Sequence, residues 1–107
     1  AGGFSFGSRT VCGLAPKEPR IQRALFIALP VSVYDCDPIL TVPQKSLLLF
    51  AGNDTFGTRT VFLERFGPPP AHFDVQEIAG TDHFFKGKTP QLEESVRAWA
   101  AKELESL

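Results

Sequence analysis

The chain begins with a stretch rich in glycine and serine, Ala1-Gly2-Gly3-Phe4-Ser5-Phe6-Gly7-Ser8. Gly3, Ser5 and Gly7 form the pattern GxSxG, which is typical of a sharp strand-to-helix turn that presents a strained serine. The serine of such a turn has a positive φ, so the residues two before and two after it must be nearly without side chain. We therefore predict that Ser5 lies at such a turn and that close packing requires both Gly3 and Gly7. The alternative is an ordinary glycine-rich loop.

Length and charge limit the kind of protein this can be. The 107 residues fit one small domain, residues 1–107, and the net charge of −1 gives no reason to expect nucleic acid or an anionic membrane as a partner. No apolar run approaches the roughly 18 residues of a membrane span, and no segment reads as a signal peptide. The sequence has no Met and begins at Ala1, which suggests a processed product or a fragment of a longer protein.

Cysteine and histidine are few and scattered. Cys12 and Cys36 have no CxxC partner, so we expect buried free thiols rather than a disulfide, and free thiols suggest a cytoplasmic location. The histidines, His72 and His83, show no metal-ligand spacing, so we expect no metal site.

Apolar runs alternate with helical patterns along the chain. The predicted strands cover residues 24–29, 46–50 and 72–78, and the predicted helices cover 6–14, 58–66 and 90–107, the last capped by Thr89. Continuous apolar runs are typical of strands buried on both faces, as parallel strands are. The pattern therefore predicts an α/β fold with a parallel sheet and right-handed crossovers.

Three polar residues fall where the carboxyl ends of the strands are expected, namely Ser5, Asp54 and His83. A serine hydroxyl is a weak nucleophile that needs an imidazole within hydrogen-bond reach, and the imidazole needs a carboxylate to fix its tautomer. The backbone amide of Phe6, at the start of the helix, is the predicted oxyanion donor.

Other roles for these residues stay open at this point. Asp54 follows Gly-Asn and fits a turn or a helix cap, and Asp35 is a rival for the acid. His83 fits a surface loop as well. Asp82 abuts His83 but is expected to fix the loop, because adjacent side chains usually point apart. We expect no role for His72.

Three segments carry a resemblance to a known family: Gly3-Phe4-Ser5-Phe6-Gly7, Phe50-Ala51-Gly52-Asn53-Asp54 and Ile78-Ala79-Gly80-Thr81-Asp82-His83-Phe84-Phe85. Together they resemble the C-terminal half of an α/β-hydrolase, of the small lidless dienelactone-hydrolase or prolyl-peptidase-like esterase group. The resemblance implies a truncated α/β-hydrolase fold with about three parallel strands. It also implies a carboxylesterase that needs no cofactor and forms an acyl-enzyme on Ser5. Phe4, Phe84 and Phe85 flank the site and are candidates for lining a substrate pocket.

The chain departs from that family because only Ala1 and Gly2 precede the motif. We therefore expect this chain to lack the strands that come earlier in the family, together with the loop that supplies the second oxyanion amide. An open sheet edge invites pairing, so we expect a homo-oligomer or an N-terminal partner chain. A catalytically weak fragment acting as an interaction module is the alternative. The same residues would serve an amide, lactone or thioester as well as a small ester.

Overall fold

The computed structural model describes residues 1–105, so residues 106 and 107 of the predicted domain lie outside the described part. The strands are β1 (Gly2–Phe4), β2 (Arg23–Ile27), β3 (Lys45–Ala51) and β4 (Phe73–Ile78). The α-helices are α1 (Phe6–Leu14), α2 (Arg59–Phe66) and α3 (Thr89–Glu105), and short 3-10 helices cover Ala15–Lys17 and Asp37–Thr41.

All four strands are parallel and lie in the order β1-β2-β3-β4. This confirms the predicted α/β architecture. The sheet has four strands rather than about three, because Gly2–Phe4 also pairs with β2, with Gly3 opposite Phe26. Since the chain enters each strand from the same end, all the carboxyl ends meet at one edge of the sheet.

Strand β3 forms the centre of the core, and side chains from its two faces enter two hydrophobic clusters. Leu48 and Phe50 pack in one cluster with residues of α1 and α2, including Phe62. Leu47 and Leu49 pack in the other, together with residues of α3. Because strand side chains alternate between faces, the apolar run of β3 holds helices on both sides of the sheet.

Strand β2 ends two residues before the end of its apolar run. Ala28 has a φ of 56°, so the chain leaves the extended conformation directly after Ile27. Ala28 and Leu29 are nevertheless fully buried. The apolar run thus predicts the burial of these residues correctly and their strand conformation wrongly.

Helix boundaries follow local signals in the sequence. The Thr58 hydroxyl accepts a hydrogen bond of 3.3 Å from the Val61 N–H and so caps α2, which ends where Gly67 adopts a φ of 76°. Helix α3 begins at Thr89, the predicted cap position, and thus one residue before the predicted first helical residue, Pro90. Within residues 1–105, no helix is both long and apolar enough to cross a membrane.

The two cysteines are free and buried, as predicted. Burial raises the pKa of the Cys12 thiol to about 12 and that of the Cys36 thiol to about 11. Since the thiolate is the nucleophilic form, neither cysteine is a candidate nucleophile at neutral pH.

Candidate active site

Ser5 lies at the turn between β1 and α1. Its φ is 55° and its ψ is −119°, a conformation that strains a residue with a Cβ. Hydrogen bonds hold the turn on both sides: the Ser5 N–H donates to the Ile27 carbonyl at 2.8 Å, and the Ser5 carbonyl accepts from the Ser8 N–H at 2.9 Å. The strand pairing and the first helical turn together fix the serine in this conformation.

The two glycines of the motif differ in how tightly they are packed. A Cβ on Gly3 would lie 2.3 Å from the backbone carbonyl carbon of Gly7 and 2.6 Å from the Ser8 nitrogen. A Cβ on Gly7 would meet no atom of the described residues within 4 Å. The predicted need for glycine is therefore confirmed at Gly3 and wrong at Gly7, because the first turn of α1 passes over β1 at Gly3 while Gly7 faces outward.

The loop after β3 holds Asp54 in a tight turn. The Asp54 N–H donates to the Ala51 carbonyl at 3.2 Å, and the Phe56 N–H donates to Oδ1 of Asp54 at 2.7 Å. The Asp54 carboxylate is completely buried. The turn residues before Asp54 predict a turn here, and the structure shows that this turn orients the buried Asp54 carboxylate.

The loop after β4 is hydrogen-bonded to the loop after β3. The Gly52 N–H donates to the Ile78 carbonyl, and the Asn53 N–H donates to the Thr81 carbonyl, each at 2.9 Å. Asp82 fixes the following turn, because its Oδ1 accepts from the N–H groups of residues 84 and 86. Asp82 therefore fixes the loop, as predicted.

These elements bring Ser5, His83 and Asp54 into one hydrogen-bonded chain. The Ser5 Oγ lies 2.6 Å from Nε2 of His83, and Nδ1 of His83 lies 2.7 Å from Oδ2 of Asp54. The His83 side chain is 5% exposed. An ionised carboxylate only accepts hydrogen bonds, so Nδ1 carries the proton and Nε2 is free to accept the serine proton.

The rival residues lie elsewhere. Asp35 accepts at Oδ1 from the Asp37 N–H at 2.9 Å, so it serves the turn before the 3-10 helix at Asp37–Thr41. His72 contacts the Val42 carbonyl through Nε2 at 2.8 Å. The carboxylate bonded to His83 is therefore that of Asp54.

Three phenylalanine rings surround the imidazole of His83. The ring of Phe56 is 4.5 Å away between centroids, that of Phe84 is 5.0 Å away and that of Phe4 is 5.4 Å away. Phe4 and Phe84 are exposed, as a residue that contacts substrate must be. The sequence analysis missed Phe56, although its position two residues after Asp54 in the same turn was a usable signal.

Phe85 lies beneath the predicted pocket rather than in its exposed lining, with its ring centroid 6.3 Å from that of Phe4. Phe85 is 1% exposed and packs in the cluster beneath β3 with Trp99. Of the two adjacent rings, Phe85 lies in the core and Phe84 does not. Burial of a phenylalanine side chain stabilises the fold by about 2–3 kcal/mol. Substrate contact by Phe85 would require it to leave this core.

The backbone amide of Phe6 is the first helical N–H of α1. Ser5, the N-cap residue, makes no side-chain hydrogen bond to the helix, and first-turn N–H groups have no acceptor within a helix. The positive end of the helix dipole therefore lies directly beside Ser5, where it favours negative charge.

Residues 1–105 contain no group of three or more His, Cys, Asp or Glu side chains arranged to hold a metal ion.

Sequence comparison connects the chain to a protein without an assigned role. The chain is 28% identical over 102 residues to an uncharacterized protein of Rickettsia prowazekii (strain Madrid E). The matched region covers 88% of this chain and 43% of that protein. No protein-family model matches the chain.

Structural comparison gives closer agreement. A protein of unknown function from Agrobacterium tumefaciens, provisionally assigned as an α/β hydrolase, superposes with a TM-score of 0.84 at 21% identity. The superposition covers 98% of this chain and 50% of that one. The chain has the α/β-hydrolase fold.

Two further structures with this fold are similar. A lidless α/β serine hydrolase from Xanthomonas campestris gives a TM-score of 0.73 at 22% identity, covering 92% of this chain and 46% of its own. An esterase domain from Rhodothermus marinus gives 0.76 at 16% identity, covering 94% of this chain and 58% of its own. The chain spans about half the length of each of these structures. The predicted resemblance is thus confirmed at the level of the fold.

Proposed function

We propose that this protein is a serine hydrolase that cleaves small carboxylic esters through an acyl-enzyme on Ser5. The observation that carries the proposal is the hydrogen-bonded chain from Ser5 through His83 to Asp54, which starts at a serine with positive φ. Buried ion pairs occur in many proteins, but a strained serine hydroxyl bonded to a carboxylate-oriented imidazole is the arrangement that activates a nucleophile.

In the proposed reaction, the Ser5 Oγ attacks the ester carbonyl carbon while Nε2 of His83 takes the hydroxyl proton. The oxyanion that forms is stabilised by the Phe6 N–H, and Asp54 stabilises the imidazolium. Collapse of the intermediate breaks the ester C–O bond, and His83 returns the proton to the leaving alcohol. A water molecule then attacks the acyl-enzyme, with His83 again acting as base, and releases the acid.

The narrower choice of a small ester rests on what surrounds the site. The exposed rings of Phe4 and Phe84 offer an apolar surface beside Ser5 for a short acyl group. The Xanthomonas protein with this fold has no lid, and the Rhodothermus domain is an esterase. An amide, lactone or thioester would use the same three residues, and assays with each class of substrate separate them. We also propose that the protein belongs to the dienelactone-hydrolase or prolyl-peptidase-like group. The free thiols support a proposed cytoplasmic location.

The proposed function also includes a further segment of polypeptide that would cover the region around β1 and α1. The exposed residues of α1 are the uncharged Phe6, Gly7, Thr10, Gly13 and Leu14, and the guanidinium of the partly buried Arg9 lies 5.6 Å from the centre of the Phe6 ring. Beside it, β1 pairs with β2 on one side only. We propose that an N-terminal partner segment or a second copy covers this region and supplies the second oxyanion donor. The absence of one such donor typically costs about 100- to 1,000-fold in turnover.

This surface also supports the alternative of an interaction module with weak or no activity. Gly13→Glu would place a charge in the exposed face of α1, with Ala101→Glu on the exposed side of α3 as the matched control. Light scattering is expected to show self-association that Gly13→Glu weakens and Ala101→Glu leaves unchanged. A wild-type chain that is monomeric at all concentrations would remove the homo-oligomer from the proposal.

The first test of the hydrolase is labelling with a fluorophosphonate probe followed by intact mass measurement. The wild-type chain is expected to gain one adduct, Ser5→Ala none, and the control Ser95→Ala, on α3, one. A folded wild-type chain that gains no adduct would contradict the hydrolase and favour the interaction module.

A further inference from the structure

The Phe56 residue contacts both the acid and the base of the candidate site. Its N–H donates to Oδ1 of Asp54 at 2.7 Å, while Oδ2 of the same carboxylate accepts from His83. Its ring lies 4.5 Å from the imidazole ring of His83, at an interplanar angle of 50°. One residue therefore restrains the carboxylate through its main chain and the imidazole through its side chain.

The position of Phe56 is itself fixed by the segment after β2. The Phe56 carbonyl accepts from the Ser32 N–H at 2.8 Å. At the next residue, Gly57, a Cβ would lie only 2.7 Å from the Leu29 carbonyl oxygen and 2.9 Å from the Val31 nitrogen. The loop is thus packed backbone against backbone, and the Phe56 ring has a rigid base.

The other two rings near His83 are held less firmly. Phe84 is 69% exposed and contacts the imidazole edge-on at 84°, and Phe4 is also exposed. Phe56 is partly buried and its ring is the nearest of the three to the imidazole. It is therefore the ring best placed to keep the imidazole plane aligned with both Ser5 and Asp54.

We propose that Phe56 is a positioning residue that holds the His83 imidazole in line between Ser5 and Asp54 and keeps water away from the Nδ1–Asp54 hydrogen bond. This inference rests on the proposed hydrolase function for its effect on rate, but its effect on the hydrogen bond is independent of that function. The role belongs to the ring, since any residue at position 56 other than proline keeps the backbone N–H.

The test compares three variants. Phe56→Leu removes the ring and keeps the backbone bond, Phe56→Tyr keeps the ring, and Phe66→Leu is the matched control in α2, where a partly buried phenylalanine packs away from His83. Phe56→Leu is expected to lower kcat and the rate of fluorophosphonate labelling by about 10- to 100-fold, with KM changed less than about twofold. Phe56→Tyr and Phe66→Leu are expected to stay within about threefold of wild type.

A second measurement does not depend on reactivity. The proton shared by Nδ1 of His83 and Asp54 is expected to give a far-downfield proton NMR resonance, which Phe56→Leu broadens by exchange with water and Phe56→Tyr preserves. Equal kcat, labelling rate and resonance in wild type and Phe56→Leu would overturn the positioning role. A wild-type chain that does not react but whose resonance responds to Phe56→Leu would overturn the hydrolase and uphold the positioning role. A wild-type chain with neither reactivity nor resonance would overturn both.

Discussion

The loops after β3 and β4 are hydrogen-bonded to each other and bury the side chains of Asp54 and His83, whereas the β1–α1 region that carries Ser5 has an open strand edge and an exposed helix face. On the first side, both oxygens of the Asp54 carboxylate are hydrogen-bonded within the chain. On the second, a Cβ on Gly7 would meet no described atom within 4 Å. The Asp54 and His83 side chains are thus positioned by this chain alone, while the surroundings of Ser5 leave room for another segment.

The largest expected effect is that of replacing Asp54, in the loop after β3. Asp54→Asn should lower kcat for ester hydrolysis by about 10⁴-fold, because the amide favours the wrong imidazole tautomer while leaving the geometry intact. Asp35→Asn is the matched control, since the Asp35 side chain accepts from the Asp37 N–H rather than from His83, and it should leave kcat unchanged. Steady-state ester hydrolysis gives kcat for both variants, and the rate of fluorophosphonate labelling gives the reactivity of Ser5 in each. Equal losses in the two variants would mean that Asp54 has no special role.

The next effect contrasts the two glycines of the serine turn. Gly3→Ala should destabilise the fold by about 3 kcal/mol, because the new Cβ would overlap backbone atoms of Gly7 and Ser8. Gly7→Ala should stabilise it by up to about 1 kcal/mol, because alanine is the better helix former and the space is open. Urea unfolding followed by Trp99 fluorescence gives both values. A destabilising Gly7→Ala would show that a neighbouring segment already fills that space.

The smallest effect extends the comparison to the other sheet edge, β4. Burial opposes ionisation of Asp74, but hydrogen bonds from Trp99 Nε1 at 2.8 Å and Lys45 Nζ at 3.1 Å outweigh it and hold the pKa of Asp74 below its ordinary value. A lowered folded-state pKa stabilises the fold above the unfolded value of 3.8, and this contribution is lost as pH falls through the folded pKa.

Asp74→Asn should therefore reduce the free energy of unfolding at pH 7 by less than about 1 kcal/mol, since the carboxylate is partly exposed. The difference from wild type should shrink as the pH drops below 3.8. Urea unfolding at pH 7 and at low pH measures it. A difference that grows toward low pH would contradict the lowered pKa.

Much of the fold and the core of the site follow from the sequence. Apolar runs at 24–29 and 46–50 predict buried parallel strands, and the carboxyl ends of parallel strands must meet. That geometry alone is enough to place Ser5, Asp54 and His83 near one another. The prediction succeeds because it depends on sheet topology, which brings the strand ends together, and on the combination of serine, aspartate and histidine at those ends.

The features that could not be predicted depend on which side chains share a space. The burial of Phe85 beneath β3, the positive φ of Ala28 and the contact between Phe56 and His83 each follow from tertiary packing. In the sequence, Phe84 and Phe85 are equivalent, and so are Gly3 and Gly7. Only the packing of α1 over β1 and of α3 under β3 distinguishes the members of each pair.

The hydrogen bonds from Gly52 to Ile78 and from Asn53 to Thr81 continue the pairing of β3 and β4 beyond the ends of the strands. The loops that carry Asp54 and His83 should therefore exchange their amide protons as slowly as the sheet does, rather than at the rate of free loops. In the proposed reaction, the Asp54 carboxylate and the His83 imidazole are therefore already in place when positive charge forms on His83, and they need little rearrangement. In the same proposed reaction the oxyanion forms beside Ser5, next to the open edge of β1 and the exposed face of α1, so its surroundings depend on what packs there.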